Sequence, residues 1–178
     1  MTVIPVDRLA ELEPACRLED ALAFFDTLPA VRAEEITGRW HGRELATGHP
    51  MDGLLEASGW YGKQFDSVDD VHPLLFRTPG GRIVSVDPRR IPFGIVDRIP
   101  EGVVARGRAV MGAALPALRT KKPRARLRNV EYRGVVTAGM SYDHLPIIDL
   151  FRRVDEDTLL GCMDLRDAPP YFFVLVRD

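Results

Sequence analysis

The chain has little cysteine. Cys16 and Cys162 are its two thiols in 178 residues, too few for a disulfide framework. Cys162 falls in an apolar stretch and reads as an inert buried thiol, which points to a reducing cytoplasm. Long hydrophobic runs are also missing. None approaches the roughly 20 residues that cross a bilayer, so no transmembrane segment is expected. The start, Met1-Thr2-Val3-Ile4-Pro5, lacks a basic stretch followed by an apolar one, and no signal peptide is expected. An excess of one charge is absent too, with a net charge of −2. Basic residues are not interleaved with aromatics, so nucleic acid is not an expected partner. Gly-X-Ser-X-Gly, the P-loop and the dinucleotide fingerprint do not occur. The histidines His41, His49, His72 and His144 have no metal-binding spacing. The sequence therefore predicts no catalytic set, no metal and no cofactor.

Composition is that of one globular domain, 1–178, with 46% hydrophobic residues. Residues 1–35 read as a helical segment, with Leu18, Ala21, Leu22 and Phe25 on one stripe and Pro29 interrupting it. Its role is a lid or plug on a sheet. Residues 36–100 read as the first half of a barrel. Strands are predicted over 36–46, Trp60 to Phe65, Val71 to Arg77 and Arg82 to Val86. A short helix follows Pro50, capped by Gly59. Pro88 to Pro100 reads as a loop. Within 101–178, a helix is predicted from Val103, ended by Pro116, and then an antiparallel meander.

The meander opens with a long alternation. Val130, Tyr132, Gly134, Val136, Ala138, Met140 and Tyr142 share one face of a single strand bent at Gly134 and Gly139. Such a strand far exceeds the usual length and must curve. Ile147 to Val154, Thr158 to Asp164 and Tyr171 to Arg177 complete it. Long strands, hairpins and glycine bends predict a mainly β, antiparallel barrel with an N-terminal and a mid-chain helix.

Two tryptophans sit among glycines: Gly38-Arg39-Trp40-His41-Gly42 and Gly59-Trp60-Tyr61-Gly62. In the first, Ile36, Gly38, Trp40 and Gly42 share a face, and Arg39, His41 and Arg43 share the other. Glycine beside an indole leaves space for a bulky neighbour or a sharp bend. With Thr47-Gly48-His49-Pro50, Lys63 directly after the second tryptophan segment, and Val71-His72-Pro73-Leu74, these segments resemble the bacterial GXWXG protein family. Ala125-Arg126-Leu127-Arg128, Met140-Ser141-Tyr142-Asp143, Pro146-Ile147-Ile148-Asp149 and Leu160-Gly161 are similar to the uncharacterised domain that follows it. The resemblance implies a calycin-like barrel, related to lipocalins and fatty-acid-binding proteins, that binds a lipid-like ligand. It also implies that Arg177, at the end of the last strand, stacks on Trp40.

Candidate ligand-contacting walls are Trp60, Tyr61, Leu74, Phe76, Val130, Tyr132, Val136, Met140 and Tyr142. Arg126 and Arg128 share the register of Val130 and Tyr132. They belong to a basic run from Arg119 to Arg133 that is either a solvated segment or the cationic rim of a cavity. Guanidinium forks suit a phosphate or carboxylate head group, and His72 is a further candidate to orient it. The expected function is binding of a hydrophobic or amphipathic ligand such as a fatty acid or phospholipid. The alternative is a small enzyme with His72 or Asp149 as general base, and a third is a filled barrel acting as an interaction module. A homodimer is left open.

Overall fold

The structure is a computed structural model that describes residues 4–91 and 107–178. Most of the predicted loop at 88–100 and the start of the mid-chain helix lie outside them. The helices are α1 (Pro5–Leu12), α2 (Leu18–Thr27), α3 (Leu54–Ser58) and α4 (Gly107–Leu118). The strands are β1 (Gly38–Leu45), β2 (Trp60–Phe65), β3 (Val71–Arg77), β4 (Ile83–Ser85), β5 (Ala125–Tyr132), β6 (Val135–Tyr142), β7 (Ile147–Arg153), β8 (Thr158–Leu165) and β9 (Tyr171–Arg177). They form one antiparallel sheet, ordered β2-β1-β9-β8-β7-β6-β5-β3-β4, and β2 also pairs with β3. Eight strands thus close nearly in a ring, with β4 lying beside β3. The seam between β3 and β5 is narrow, a single pair of Val71 with Ala125.

Alternation along the strands divides the apolar residues between two cores. Trp40, Trp60, Phe65, Phe76, Leu127, Met140, Phe151 and Phe173 belong to the core inside the ring. Leu45, Leu150, Leu160, Cys162, Phe172 and Val174 face outward and are covered by Leu9, Leu12, Ala21, Phe24 and Phe25 of α1 and α2. The stripe of α2 therefore packs on the outer wall of the barrel. The chain then inserts between β6 and β7, whose ladder spans only Gly139 to Ser141. Ala138 N–H donates to Val31 O at 2.7 Å, Arg153 N–H donates to Pro29 O at 3.0 Å, and Ala30 bridges to Arg152. Buried Thr137 donates to Phe151 O at 2.6 Å and accepts from Val31 N–H at 3.2 Å. This strap satisfies backbone groups that the splayed strands would otherwise leave unpaired.

The long strand expected over Val130 to Tyr142 is a hairpin. Arg133 and Gly134 have φ of 51° and 76°, and Tyr132 pairs directly with Val135. Two left-handed residues in a row make the tight turn that suits the twist of a hairpin. A two-residue turn pairs residue i with i+3, so the inward parity switches between the arms. The inner face carries Ala125 and Leu127 on β5, and Ala138, Met140 and Tyr142 on β6. Arg126, Arg128, Val130 and Tyr132 are on the outer face. Val136, beside the turn, is 59% exposed. Pro116 lies inside α4, which continues to Leu118.

The glycine–tryptophan segments interlock. A Cβ at Gly42 would collide with the Trp60 indole, and one at Gly62 would collide with Trp40 O. Gly62 has φ 151° and sits at register shifts in the β2–β3 ladder. Gly38, with φ 83°, has open space around it and serves the backbone alone. Gly42 thus makes room for the other tryptophan, not for Trp40. Trp40 is buried at the opposite end of β1 from Leu45, and its Nε1–H donates to Thr37 O at 3.0 Å. Its cross-strand partner is Arg177, whose guanidinium lies 4.3 Å from the ring centre.

Candidate functional site

Inside the ring, β2 contributes an unexpected residue. Strict alternation from Trp60 would turn Lys63 outward. The irregularity at Gly62 advances the register, so Trp60, Lys63 and Phe65 all lie buried. Lys63 Nζ is 2.8 Å from Asp149 Oδ2 on β7, with the side chains 3% and 1% exposed. The ammonium also donates to Pro73 O at 3.2 Å and approaches the Tyr142 hydroxyl at 3.5 Å. Phe173, Tyr142 and Trp60 surround it, with ring centres at 4.9, 5.7 and 5.8 Å. Cation–π attraction and the carboxylate both offset part of the desolvation cost of a buried charge.

Asp149 Oδ2 meets the ammonium at close range but off the hydrogen-bonding angle, and the Tyr142 hydroxyl is a second partner of the carboxylate. Trp60 Nε1–H is buried without an acceptor among the described residues. Burial pushes the Asp149 carboxyl above its ordinary range, and Lys63 pulls it part of the way back. Burial, reinforced by the Asp149 charge, holds the Tyr142 hydroxyl well above its usual range.

Tyr142 connects this cluster to the surface. It borders a narrow hollow with Pro88, Arg89, Arg124, His144 and Leu145. It also borders an open cleft of about 540 Å³ with Leu145, Ile147, Asp164 and Arg166. Asp87, buried beside the hollow, accepts from Arg89 and pairs with Arg124 at 2.9 Å. The Arg89 hydrogen bond is the main reason that its carboxyl is lowered to about 2.

Higher in the barrel, Tyr171 donates its hydroxyl to Glu44, which accepts Leu55 N–H at 3.1 Å and Glu56 N–H at 3.4 Å. Glu44 thereby ties the first turn of α3 to β1. Burial raises its carboxyl. His49 accepts Met51 N–H on Nδ1 and lies 3.2 Å from Pro169 O on Nε2, so Nε2 carries the proton. These contacts account for His49 and Tyr171 as supports of α3.

The sequence-expected residues divide by face. Trp60, Leu74, Phe76, Met140 and Tyr142 belong to the inner core or pack against it. Tyr61 is outside, donating its hydroxyl to Asp178 at 2.7 Å, with Arg77 5.1 Å from its ring centre. His72 faces the same side as Gln64, away from Phe65 and Val71, with Nδ1 3.2 Å from Ser85 Oγ and Nε2 3.4 Å from Asp66. Tyr132 lies under α2, 6.3 Å from the Phe25 ring centre. Arg126 and Arg128 are exposed and paired with Asp143 at 3.2 Å and Asp69 at 2.7 Å. They do not reach the interior, and neither does His72; the ion pair buried there is Lys63 with Asp149. Sequence reading gave Lys63 a place in the tryptophan motif but no role; the mid-strand glycine before it was the available signal of a bulge. Among the described residues, no three His, Cys, Asp or Glu side chains group as a metal site, and no helix is long and apolar enough to cross a membrane.

No curated protein matches the chain. A protein from Thermomonospora curvata, known from its crystal structure, is similar at 31% identity, over 99% of each chain, with a TM-score of 0.73. The GXWXG protein model matches residues 23–81, which hold both glycine-flanked tryptophans and Lys63. A domain of unknown function (DUF4334) matches residues 123–177, which hold Tyr142, Asp149 and Arg177. The buried pair thus takes its lysine from one segment and its carboxylate from the other, and the chain belongs to the family of GXWXG proteins that carry this second domain.

Proposed function

We propose that the protein is a calycin-like carrier that binds a small amphipathic or apolar molecule inside the barrel, with the ligand's polar group at the Lys63–Asp149 pair. The observation that carries this reading is the pair itself. An ammonium and a carboxylate sit among Trp60, Tyr142 and Phe173, with the unpartnered Trp60 N–H beside them. Such a mixture, mostly apolar with a few convergent polar groups, is the usual make-up of a small-molecule site. The Trp40–Arg177 stack closing one end also supports the calycin assignment. Both cysteines are free, which agrees with a cytoplasmic location.

Trp60 is both wall and reporter. In a Trp40→Phe background, titration of lipid-stripped protein with decanoic acid, decanol and decanal gives a saturable change in Trp60 emission. Lys63→Gln weakens it. No saturable change with any of the three, together with an empty organic extract of freshly purified protein, would overturn the reading.

A second reading has one observation of its own. Asp149 is an inward carboxyl with a pKa raised by burial, a cationic neighbour and a tyrosine hydroxyl beside it, the features of a general base on an apolar substrate. This enzyme reading rests on Asp149 alone, since His72 faces outward. Its signature is turnover lost in Asp149→Asn with ligand affinity kept.

A further inference from the structure

The chain has three lysines, Lys63, Lys121 and Lys122, against 21 arginines. The one placed inside the barrel is Lys63, while Lys121 and Lys122 are exposed. A guanidinium would hold Asp149 through two parallel bonds and would suit a purely structural pair better. An amine has chemistry that a guanidinium lacks: once deprotonated, it is a nucleophile toward carbonyl carbon.

We propose that Lys63 captures the carbonyl carbon of an apolar aldehyde or ketone as a reversible imine, with Asp149 as proton carrier and counter-ion. This rests on the reading of the barrel interior as a ligand site, and it names the ligand class. The Lys63 ammonium gives a proton to Asp149, 2.8 Å away. The amine lone pair forms the new N–C bond as the carbonyl π bond breaks. A proton moves from nitrogen to that oxygen, giving a carbinolamine. Asp149 returns its proton to the hydroxyl, which leaves as water, and the iminium that results carries the charge that the ammonium had.

The surroundings suit both ends of this sequence. The iminium stays a cation between Phe173, Tyr142 and Trp60, opposite the same carboxylate. The Tyr142 hydroxyl, 3.5 Å from Nζ, is a donor within reach of an oxygen on the carbon that bonds to Nζ. A carboxylate ligand fits less well, because it would set a second anion beside Asp149 in an apolar interior.

The test is reductive trapping. Full-length protein is incubated with decanal and sodium cyanoborohydride, and adducts are mapped by peptide mass spectrometry. The expected result is saturable labelling of Lys63, ahead of Lys121, Lys122 and the amino terminus. Lys63→Arg, checked for fold by circular dichroism, is expected to lose the barrel label while Lys121, Lys122 and the amino terminus label as in the wild type. Asp149→Asn is expected to slow trapping on the order of 100-fold. Labelling confined to Lys121, Lys122 and the amino terminus, with decanal bound, would overturn the imine and leave the carrier reading standing. Neither binding nor trapping would overturn both. The comparison of wild type with Lys63→Arg decides the case even where Asp149→Asn does not fold.

Discussion

Arg177 is the cross-strand partner of Trp40, and its guanidinium lies 4.3 Å from the centre of the indole. The same guanidinium donates to Thr37 O at 2.9 Å, and Trp40 Nε1–H donates to that oxygen from the other side. One carbonyl just before β1 therefore binds both members of the stack. Arg177→Ala should cost about 1–2 kcal/mol, the loss of a cation–π contact, the hydrogen bond to Thr37 O and an exposed ion pair with Asp157 at 3.1 Å. Its denaturant midpoint, with Trp40 emission as probe in a Trp60→Phe background, checks this. An unchanged midpoint would make the stack incidental.

Gly38 and Gly42 should respond differently to substitution. Gly42→Val meets the Trp60 ring and should destabilise by roughly 1–3 kcal/mol while shifting Trp60 emission. Gly38→Val meets no atom, but must adopt φ 83°, so its cost is backbone strain of about 1–2 kcal/mol with Trp60 emission unchanged. Equal spectral shifts in both variants would contradict the assignment of Gly42 to Trp60.

Breaking the interior pair should cost more than replacing it. Lys63→Met or Asp149→Leu alone strands a buried charge and should lower stability by about 3–5 kcal/mol. The double variant should recover much of that loss, since both charges leave the apolar interior together. A double-mutant cycle by chemical denaturation reads the coupling directly, and strict additivity would mean that the two groups do not interact.

The two outer arginines should matter little. Arg126→Ala with Arg128→Ala removes two exposed ion pairs, each worth about 0–1 kcal/mol. Decanal and decanoic acid should bind the double variant as they bind the wild type. A large loss of affinity would return these arginines to the ligand site.

Asp87 sets an acid limit. Its folded carboxyl, at about 2, lies below the ordinary value of 3.8. The folded state thus binds this proton less well than the unfolded chain does. The stabilisation is complete above about pH 4 and is lost as the pH falls toward about 2. It amounts to about 1–2 kcal/mol at neutral pH, allowing for solvent screening of half-exposed Arg89. Wild type should exceed Asp87→Asn by that margin at pH 7 and lose the difference near pH 2. A margin constant with pH would contradict the ion-pair origin.

Short-range pattern already carried much of the fold. Glycine beside tryptophan, period-2 alternation and turn residues place β1, β2, β3, β7, β8 and β9 within a residue or two, because each signal arises within one strand. Trp40 and Arg177 were also legible, the first from its glycines and the second from the resemblance to a known family. Three things were decided only in three dimensions. The Arg133–Gly134 turn set which side of β5 faces in, and a single left-handed pair of residues moved Arg126, Arg128 and Tyr132 outside. The irregularity at Gly62 turned Lys63 inward, against the alternation around it. The meeting of Lys63 with Asp149 joins residues 86 positions apart, and no local pattern encodes it. A strand's period tells which residues share a face. Whether that face looks into the barrel depends on the register with its neighbours, and register is a property of the closed sheet.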